Sequence, residues 1–294
     1  MIVVAGSLNM DLVGRVARLP AWGETVMGES LSRFAGGKGG NQAVAAARLG
    51  AQVAFAGAVG DDPFGAELCA GLRAEGIDTH GVVAVSDAAT GCALIHVRPD
   101  GDNAITVLPG ANRAAPLPPP AWPAAWRWLL LQGELPMPTT VAWARAARAA
   151  GARVILNAAP MADLPGDLLS ALSLLVVNEG ELQALVGPQP DMPTALRAAA
   201  SLGPAAVVAT LGARGCAAWD GQALHAVPAR PVTVVDSTGA GDTFVGALAA
   251  ALWQQRSLAE ALLRATSAGA LSCTAAGARN GMPRSAELDA WLAA

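Results

Sequence analysis

Four short apolar runs in the second half of the chain restrict its fold more than any other feature. Each has the length of a buried strand and stops at polar or glycine residues; the runs cover residues 128–131, 153–156, 174–177 and 205–209. Helical sequence separates successive runs. Strands that are buried on both faces and alternate with helices are typical of a parallel sheet. We therefore predict an α/β fold, a Rossmann-like three-layer α/β/α domain with a mostly parallel central sheet and a ligand site along one edge of that sheet.

The composition indicates one globular domain. Apolar residues make up 53% of the 294 residues and charged residues only 14%, which favours a buried core over disorder. No break in composition divides the chain, so we expect a single domain over residues 1–294. The net charge of −4 and the lack of a basic run argue against nucleic acid as a partner.

The cysteines and the N-terminus bear on the cellular compartment of the protein, and the histidines bear on metal binding. The three histidines are scattered, which argues against a histidine metal site. The N-terminus begins as a strand without a basic leader, and no apolar run is long enough to span a bilayer. We predict a cytoplasmic protein with no membrane partner. Dispersed cysteines without a C-x-x-C pair predict buried thiols in a reducing compartment: Cys69, Cys92, Cys216 and Cys273.

The segment 232–252 reads as a strand, a tight turn and the start of an Ala-rich helix. The first N–H groups of such a helix lack intrahelical acceptors, so an anion fits at Gly239, Ala240 and Gly241. Asp242 adds a carboxylate at the same helix start. A base beside an anion site is what phosphoryl transfer to an alcohol needs. The alternative is an ordinary strand-to-helix turn in which Asp242 only favours the helix start.

A second glycine-rich stretch, residues 34–42, leads into another helix of small residues. It contains Lys38, the one lysine among the 19 Lys and Arg residues. Because the other 18 of these residues are Arg, a Lys at this position suggests that the site needs a compact ammonium group. Chance placement of one residue is the alternative interpretation.

Together these two stretches resemble the ribokinase family of sugar and nucleoside kinases. Residues 236–244 match its Asp-Thr-x-Gly-Ala-Gly-Asp-x-Phe motif with Ser237 in the Thr place, and residues 36–41 match Gly-Gly-Lys-Gly-x-Asn. The resemblance runs from Ile2 to the C-terminal helix. It implies a ribokinase-like fold with a small β-sheet lid built from residues 9–34 and 91–108. In the family this lid covers the sugar and often forms a dimer interface, so we expect a homodimer.

The resemblance also implies a set of sugar ligands. Asn9 and Asp11 would bind sugar hydroxyls, although both residues could merely shape a turn. Glu134 matches a sugar-binding glutamate, although a solvated acid at a strand end is the alternative. The full set that the resemblance places around the sugar is Asn9, Asp11, Gly37, Lys38, Gly39, Asn41, Glu134 and Asp242.

For the nucleotide, the resemblance points to the loop from Thr210 to Gly215, which could otherwise be a plain hairpin turn. Asn178 and Glu181 match an Asn-x-x-Glu motif associated with magnesium, with contact through water allowed; the same spacing also fits a helix cap. No P-loop sequence and no G-x-G-x-x-G after the first strand occur. The expected ATP-site residues are Asn178, Thr210, Leu211, Gly212, Ala213, Arg214, Gly215, Gly241 and Thr266.

The resemblance further implies a potassium ion beside the anion turn. Most of its ligands would be backbone oxygens, with the Asp236 carboxylate as the charged one. The family usually has Ser at the place of Gly281, so one hydroxyl ligand would be missing. The implied ligands are Asp236, Thr238, Ser272, Ala275, Gly277 and Gly281.

The activity that the resemblance implies is that of an ATP-dependent sugar kinase, with ATP, Mg²⁺ and K⁺ as cofactors. Asp242 would act as general base and residues 239–241 would hold the γ-phosphoryl group, with the 5-hydroxyl of D-ribose as acceptor. Residues 157–160 resemble an Asn-Pro-Ala-Pro stretch that favours ribose, although Ala158 departs from it. The alternatives are a kinase of another sugar or a nucleoside (fructokinase, nucleoside kinase, keto-deoxy sugar kinase), a non-catalytic sugar- or nucleotide-binding regulator, and an NAD-dependent oxidoreductase.

Overall fold

Two β-sheets and a set of surrounding helices make up this computed structural model, which describes residues 1–114 and 117–294. Within that part of the chain the strands are β1 (Ile2–Ala5), β2 (Asn9–Val16), β3 (Gly28–Gly36), β4 (Val53–Gly60), β5 (Asp78–Val85), β6 (Gly91–Val97), β7 (Asn103–Leu108), β8 (Trp128–Gln132), β9 (Arg153–Asn157), β10 (Leu174–Asn178), β11 (Val207–Thr210), β12 (Cys216–Trp219) and β13 (Leu224–Val227).

The α-helices of the same described residues are α1 (Lys38–Arg48), α2 (Pro63–Ala74), α3 (Ala111–Ala114), α4 (Met137–Ala149), α5 (Gly166–Ala171), α6 (Glu179–Val186), α7 (Met192–Ala200), α8 (Ala240–Trp253), α9 (Leu258–Ser272) and α10 (Ser285–Ala293). One short 3₁₀ helix, Gly212–Arg214, lies between β11 and β12. No helix in the described part of the chain combines the length and hydrophobicity that crossing a bilayer requires.

The large sheet has the order β13-β12-β11-β10-β9-β8-β1-β4-β5. The pairings from β11 through β5 are parallel, and β12 and β13 are added antiparallel at one edge. The four apolar runs of the sequence form the neighbouring strands β8, β9, β10 and β11. The predicted α/β fold with a mostly parallel central sheet is therefore confirmed.

Both faces of this sheet are covered, as the continuous apolar runs predict. In β1 the residues Ile2 and Val4 belong to one core cluster, together with α1, α8 and α9, while Val3 and Ala5 belong to a second cluster with α4 and α7. All four side chains are fully buried. Burial of a side chain the size of Val or Ile contributes about 1.5–3 kcal/mol, so this one short strand anchors the centre of the sheet.

The small sheet has the order β3-β2-β6-β7, with β2 and β6 parallel and the outer pairs antiparallel. It follows directly from the large sheet, because β2 begins at Asn9, four residues after β1 ends. This fits the predicted combination of a parallel sheet with a small second sheet.

Helices α1 and α8 cross at very short range through small residues. A Cβ placed on Gly246 of α8 would lie 2.5 Å from the Cβ of Ala45 and 2.6 Å from the Gln42 carbonyl oxygen of α1. Only glycine permits this approach. The first turns of the two helices are thereby brought to one place.

Three sequence expectations about local structure were wrong in part. Residues 232–235, predicted as the strand before the anion turn, form no strand, because the Val235 and Asp236 N–H groups donate to the Cys273 carbonyl just after α9 and not to a neighbouring strand. Lys38 is already the first residue of α1, so the helix starts before Asn41. Gly37 is its N-cap with φ 83°, and a Cβ there would lie 2.8 Å from the Ser7 carbonyl oxygen, so glycine lets the chain turn directly into the helix. All four cysteines are free, but only Cys216 is buried; the small sheet, for example, leaves Cys92 partly exposed.

Candidate active site

Polar residues mark the carboxyl ends of five neighbouring parallel strands. In sheet order they are Thr210 on β11, Asn178 on β10, Asn157 on β9, Glu134 after β8 and Asn9 after β1. Strands β4 and β8 lie on opposite sides of β1, so the direction of the connections reverses there. Open α/β sheets bind ligands in the crevice at such a point. The row therefore leads along the sheet edge into the crevice beside β1.

Glu134 joins the two sides of this crevice. Its Oε2 accepts hydrogen bonds from the Ser7 hydroxyl, which follows β1, and from the backbone N–H of Lys38 at 2.9 Å. The Gly39 N–H lies 3.4 Å from the same Ser7 hydroxyl oxygen. The glycine-rich start of α1 is thus held on the strand ends by hydrogen bonds to a charged acceptor, which are the stronger kind.

Asp242 is held by two side-chain amides of α1. Asn41 donates through Nδ2 to Oδ2 at 3.0 Å, and Gln42 donates through Nε2 to Oδ1 at 3.0 Å. The carboxylate is 8% exposed and is the third residue of α8. Each oxygen keeps acceptor capacity beyond these bonds. The geometry gives a fixed carboxylate at a helix N-terminus, which can accept a proton from a hydroxyl placed beside it.

The turn before α8 has a left-handed glycine. Gly239 is the N-cap with φ 76°, and a Cβ there would lie 2.7 Å from the Ala278 carbonyl oxygen. The Ala240 N–H donates to the Ser237 carbonyl at 3.2 Å. The next N–H groups, on Gly241 and Asp242, come before any intrahelical acceptor is available. These two are therefore the groups best placed to receive an anion.

A cleft lies between this helix start and the ends of β10 and β11. Lys38, Asp242, Gly241, Asn178 and Thr210 contribute to its wall. The cleft has the ammonium group and helix amides on one side and strand-end oxygens on the other. Such a lining suits a polyphosphate better than an apolar ligand.

The Asn178 and Glu181 pair forms a capping box at the start of α6. Asn178 Oδ1 accepts the Glu181 N–H at 2.8 Å, and Glu181 Oε2 accepts the Asn178 N–H at 2.7 Å. Burial raises the pKa of Glu181, while Lys38 and the capping hydrogen bond lower it. The capping alternative of the sequence analysis is thus realised, and the Glu181 oxygen outside the capping bond is the one that could serve a cation in the cleft.

The β11–β12 loop, Thr210 to Gly215, is an antiparallel hairpin whose tip is the 3₁₀ turn. Gly215 has φ 95° and lies so close to the Val227 carbonyl that no side chain fits. Exposed Arg214 forms an ion pair with Glu179, which ties the loop to the start of α6. Thr266 is buried in α9 with its hydroxyl 3.3 Å from the Cys216 sulfur, so it supports β12 from behind.

A second pocket lies on the other side of the Glu134–Lys38 hydrogen bond. Glu134 lines it from the end of β8, Asn112 from α3, and Asn9 and Val107 from the small sheet. The Asn112 amide donates to the Asn9 Oδ1 at 2.8 Å. The structure therefore brings the predicted sugar ligands Asn9 and Glu134 to one pocket, with the small sheet at its rim.

Asp11 lies on β2; it is not among the residues that line this pocket, but its carboxyl interacts with the charges of Arg279, Glu134 and Asp242. A Cβ on Gly36 would come within 2.3 Å of its carboxylate, so a glycine is needed opposite it. Burial raises the pKa of Asp11 to about 6; the nearby Arg279 guanidinium lowers it, and the Glu134 and Asp242 carboxylates raise it. Asp11 is thus an acid whose charge changes close to neutral pH.

Of the residues predicted to enclose potassium, Asp236, Thr238 and Gly277 are joined by hydrogen bonds, and Ser272 packs against Gly281. Asp236 accepts from the Thr238 N–H at 2.9 Å and from the Gly277 N–H at 2.8 Å. Burial opposes ionisation of this carboxyl, but the hydrogen bonds from Thr238 and Gly277 lower its pKa. Gly281 packs so tightly that a Cβ would lie 2.1 Å from the Ser272 carbonyl oxygen, which explains why glycine stands there. The set consists of one carboxylate and backbone oxygens.

The described residues contain no further candidate metal site built from acidic, histidine or cysteine side chains. Among the residues that the structure describes, no three His, Cys, Asp or Glu side chains cluster as a metal site. Any divalent cation in the cleft would depend on few protein ligands, as magnesium commonly does.

Five residues of the site were not predicted as site residues: Ser7, Gln42, Asn112, Gln132 and Arg279. Ser7 and Gln42 adjoin predicted positions, so proximity was the available signal. Gln132 and Arg279 also lie within two residues of predicted positions, Glu134 and Gly281, whereas Asn112 has no predicted residue near it in the sequence. Only their contacts in the folded chain connect them to Asn9, Gln42 and Asn41.

Comparison with known proteins identifies relatives over the whole chain. A family model described as pfkB family carbohydrate kinase matches residues 1–285. The curated ribokinase of Bacillus subtilis is 38% identical over 296 residues, which cover 99% of each chain.

Two solved structures match with a TM-score of 0.91. The crystal structure of ribokinase from Thermotoga maritima is 32% identical and is matched over 100% of this chain and 99% of its own. The structure of Arabidopsis thaliana ribokinase complexed with ribose and ATP is 33% identical, over 99% of this chain and 98% of its own.

Proposed function

The chain belongs to the pfkB family of carbohydrate kinases, and we propose that it transfers the γ-phosphoryl group of ATP to the 5-hydroxyl of D-ribose. The observation that carries the proposal is the position of Asp242. Its carboxylate is fixed by Asn41 and Gln42, adjoins the α8 N-terminus and lines the cleft between that helix start and the ends of β10 and β11. Relatives named ribokinase, and one solved with ribose and ATP, support this choice of substrates.

In the proposed complex the sugar occupies the pocket of Asn9 and Glu134. Carboxylates of Asp11 and Glu134 accept hydrogen bonds from vicinal hydroxyls, and the Asn9 amide donates. A carboxylate can accept from two hydroxyls at once, which suits a polyol. A hydroxymethyl group then points toward Asp242.

In the proposed transfer step Asp242 takes the proton of the 5-hydroxyl as that oxygen attacks the γ-phosphorus. The bond between the γ-phosphorus and the bridging oxygen breaks, and ADP leaves. The Gly241 and Asp242 N–H groups and the Lys38 ammonium face the charge on the transferred group. Positioning and electrostatic stabilisation supply most of the catalysis in such a reaction.

We propose ATP as the nucleotide, held along the ends of β10 and β11, with residues 210–215 beside its nucleoside part. Magnesium fits the cleft through the Glu181 oxygen outside the capping bond and through Asn178, with water completing its coordination. When bound it would neutralise phosphate charge. We propose the same sugar-binding and ATP-binding residues that the family resemblance implies.

Potassium fits the Asp236 group, because one carboxylate and several carbonyl oxygens suit a large monovalent cation. The candidate ligands remain Asp236, Thr238, Ser272, Ala275, Gly277 and Gly281. Gly239 packs on Ala278 of the same loop, so a bound ion would stiffen the anion turn. We expect turnover to depend on potassium; equal rates with potassium, sodium and a bulky organic cation would contradict this.

We also propose that residues 1–294 form a single kinase domain with lid segments at about 9–34 and 91–108, and that the protein is a homodimer through the lid. Exposed apolar side chains on β3 and β7 support a partner there: Leu31 is 72% exposed and Ile105 56%. Light scattering after gel filtration would test the dimer. The four free thiols are compatible with the reducing cytoplasm as the proposed location.

A coupled assay for ADP release over a panel of sugars and nucleosides tests the proposed activity. We expect the highest kcat/KM with D-ribose, and no ADP release above background with 5-deoxyribose, which lacks the acceptor hydroxyl. A clearly higher kcat/KM with fructose, a nucleoside or a keto-deoxy sugar would replace ribose. Absence of ATP-dependent turnover with every compound would overturn the kinase proposal.

A further inference from the structure

Three buried carboxamides around the site share one feature: a neighbouring side chain donates a hydrogen bond to the oxygen of each amide. Arg279 Nε donates to Asn41 Oδ1 at 2.9 Å, Gln132 Nε2 donates to Gln42 Oε1 at 2.9 Å, and Asn112 Nδ2 donates to Asn9 Oδ1 at 2.8 Å. In each case the amide nitrogen is left to face Asp242 or the sugar pocket.

The orientation is forced most strongly at Asn41. A guanidinium group has donors and no acceptor, so Asn41 must present its oxygen to Arg279. Its Nδ2 is then the atom that meets Asp242, at 3.0 Å. Without Arg279, the Asn41 amide could rotate by 180° and place its oxygen against the carboxylate, which would be repulsive.

The orientation of the Asn9 amide is fixed in a similar way, by Asn112, whose own orientation is set by the backbone of Leu8. Asn112 Oδ1 accepts the Leu8 N–H at 2.9 Å, so its Nδ2 must face the opposite direction. That Nδ2 contacts the Leu8 carbonyl at 3.1 Å and Asn9 Oδ1. The repeated pattern indicates that the site is arranged to present N–H donors inward.

Arg279 is itself held firmly. Its Nη2 donates to the Gly36 carbonyl at 3.1 Å, and its own carbonyl accepts from Arg48 Nη1 at 2.5 Å. A Cβ on Gly40 would lie 2.5 Å from Nη2, so glycine makes room for the guanidinium. Arg48 is in turn paired with Glu75, with both side chains under 20% exposed. The guanidinium cannot move away without breaking this network.

We propose that Arg279 is a positioning residue for the phosphoryl transfer, because it fixes the Asn41 amide with its nitrogen toward Asp242. The inference rests on the proposed function, since it assigns Asp242 as the base of that reaction. It adds a residue from the 274–281 loop that makes no contact of its own with Asp242 among the hydrogen bonds of the described residues.

The test compares two variants that differ in the donor. Arg279→Met removes every donor and keeps an apolar chain. Arg279→Gln removes the charge, but its Nε2 is attached to Cδ, as Nε is in Arg, so an N–H donor can return to Asn41. We expect Met to lower kcat by about 10- to 100-fold, the range for a lost hydrogen bond in a charged network, and Gln to stay within about 3-fold of native. The KM for ATP should stay unchanged.

A double variant separates positioning from general support of the fold. If Arg279 acts through Asn41, Arg279→Met should cause no further loss of kcat in an Asn41→Ala background. Arg284→Met is the matched control, because Arg284 is exposed and also pairs with Glu75. Thermal unfolding of each variant identifies any that fail to fold. If Arg279→Met fails to fold, Asn41→Ala decides, because native kcat without the Asn41 amide would overturn the proposal.

Four results would overturn the proposal: native kcat in the Met variant, native kcat in Asn41→Ala, equal losses in Met and Gln variants that both fold, or full additivity with Asn41→Ala. These failures leave the native enzyme active, so they are distinct from failure of the proposed function, in which the native protein itself would release no ADP with any sugar of the panel.

Discussion

The sugar side and the nucleotide side of the site are built in different ways. On the sugar side Asn9, Asn41 and Asp242 are each less than 10% exposed, and side chains far apart in sequence fix one another. On the nucleotide side Asn178, Arg214 and Gly241 are exposed, and their contacts are local or are single surface ion pairs. The sugar side is therefore preorganised by a network of buried side chains, whereas the nucleotide side is formed by exposed residues with few contacts between distant parts of the chain.

This difference predicts how much the interactions on each side contribute to the free energy of binding and catalysis. A hydrogen bond to a buried charged group contributes about 1.5–3 kcal/mol, whereas an exposed ion pair contributes about 0–1 kcal/mol. Substitutions on the sugar side should therefore cost far more than substitutions on the nucleotide side. The following experiments test that order, starting with the largest effect.

Asp242→Asn should lower kcat by roughly 10²–10⁴-fold, with smaller changes in KM, because the general base is lost while the shape remains. Steady-state kinetics with ribose and ATP would measure this. Asp167→Asn serves as the control, since that carboxylate pairs with Arg145 on the surface. Turnover near the native rate would remove Asp242 from the mechanism.

Glu134→Gln should raise the KM for the sugar by about 5- to 30-fold, because a neutral acceptor binds the Ser7 hydroxyl, the Lys38 N–H and the sugar less strongly. The KM for ATP should hardly change. If both KM values rise together, Glu134 supports the whole cleft and the division between the two sides is wrong.

The pH profile tests Asp11. With its pKa raised to about 6, the carboxyl is ionised above that pH and protonated below it. A protonated Asp11 loses acceptor capacity, so kcat/KM for the sugar should fall as pH drops below about 6, by up to tenfold per pH unit. The Asp11→Asn variant should have a lower kcat/KM at neutral pH and should lack this acid limb; an unchanged limb would show that a group other than Asp11 causes it.

Arg214→Ala should produce the smallest change, about 2- to 3-fold or less in the KM for ATP, because its ion pair with Glu179 is exposed. Glu179→Gln, which breaks the same pair from the other side, should match it. A loss of tenfold or more in either variant would mean that the nucleotide side is also preorganised by its side chains.

The sequence predicted the parts of this structure that depend on local pattern. The apolar runs predicted the parallel sheet, and the glycine turn before Asp242 predicted the start of α8, whereas α1 starts at Lys38, earlier than predicted. The family resemblance, confirmed by the comparisons, named most of the polar residues at the strand ends. These features are readable because periodicity and turn chemistry act over short stretches.

The residues that orient the site were not predictable in the same way. Arg279 lies 238 positions from Asn41, and Asn112 lies 103 positions from Asn9. An arginine in a glycine- and alanine-rich loop has no local sign that its guanidinium will meet a particular amide. Such pairs become visible only once the fold sets which donors face which acceptors.

The close crossing of α1 and α8 has a consequence for fluctuations of the site. Where long side chains separate two helices, rotamer changes on the picosecond to nanosecond scale can alter their spacing. At Gly246 the two backbones are almost in contact, so no such rotamer can intervene. The separation of the Asn41–Gln42 pair from Asp242 therefore fluctuates only as much as close-packed backbone does, and the donors stay within reach of the carboxylate through each thermal motion of the side chains around them.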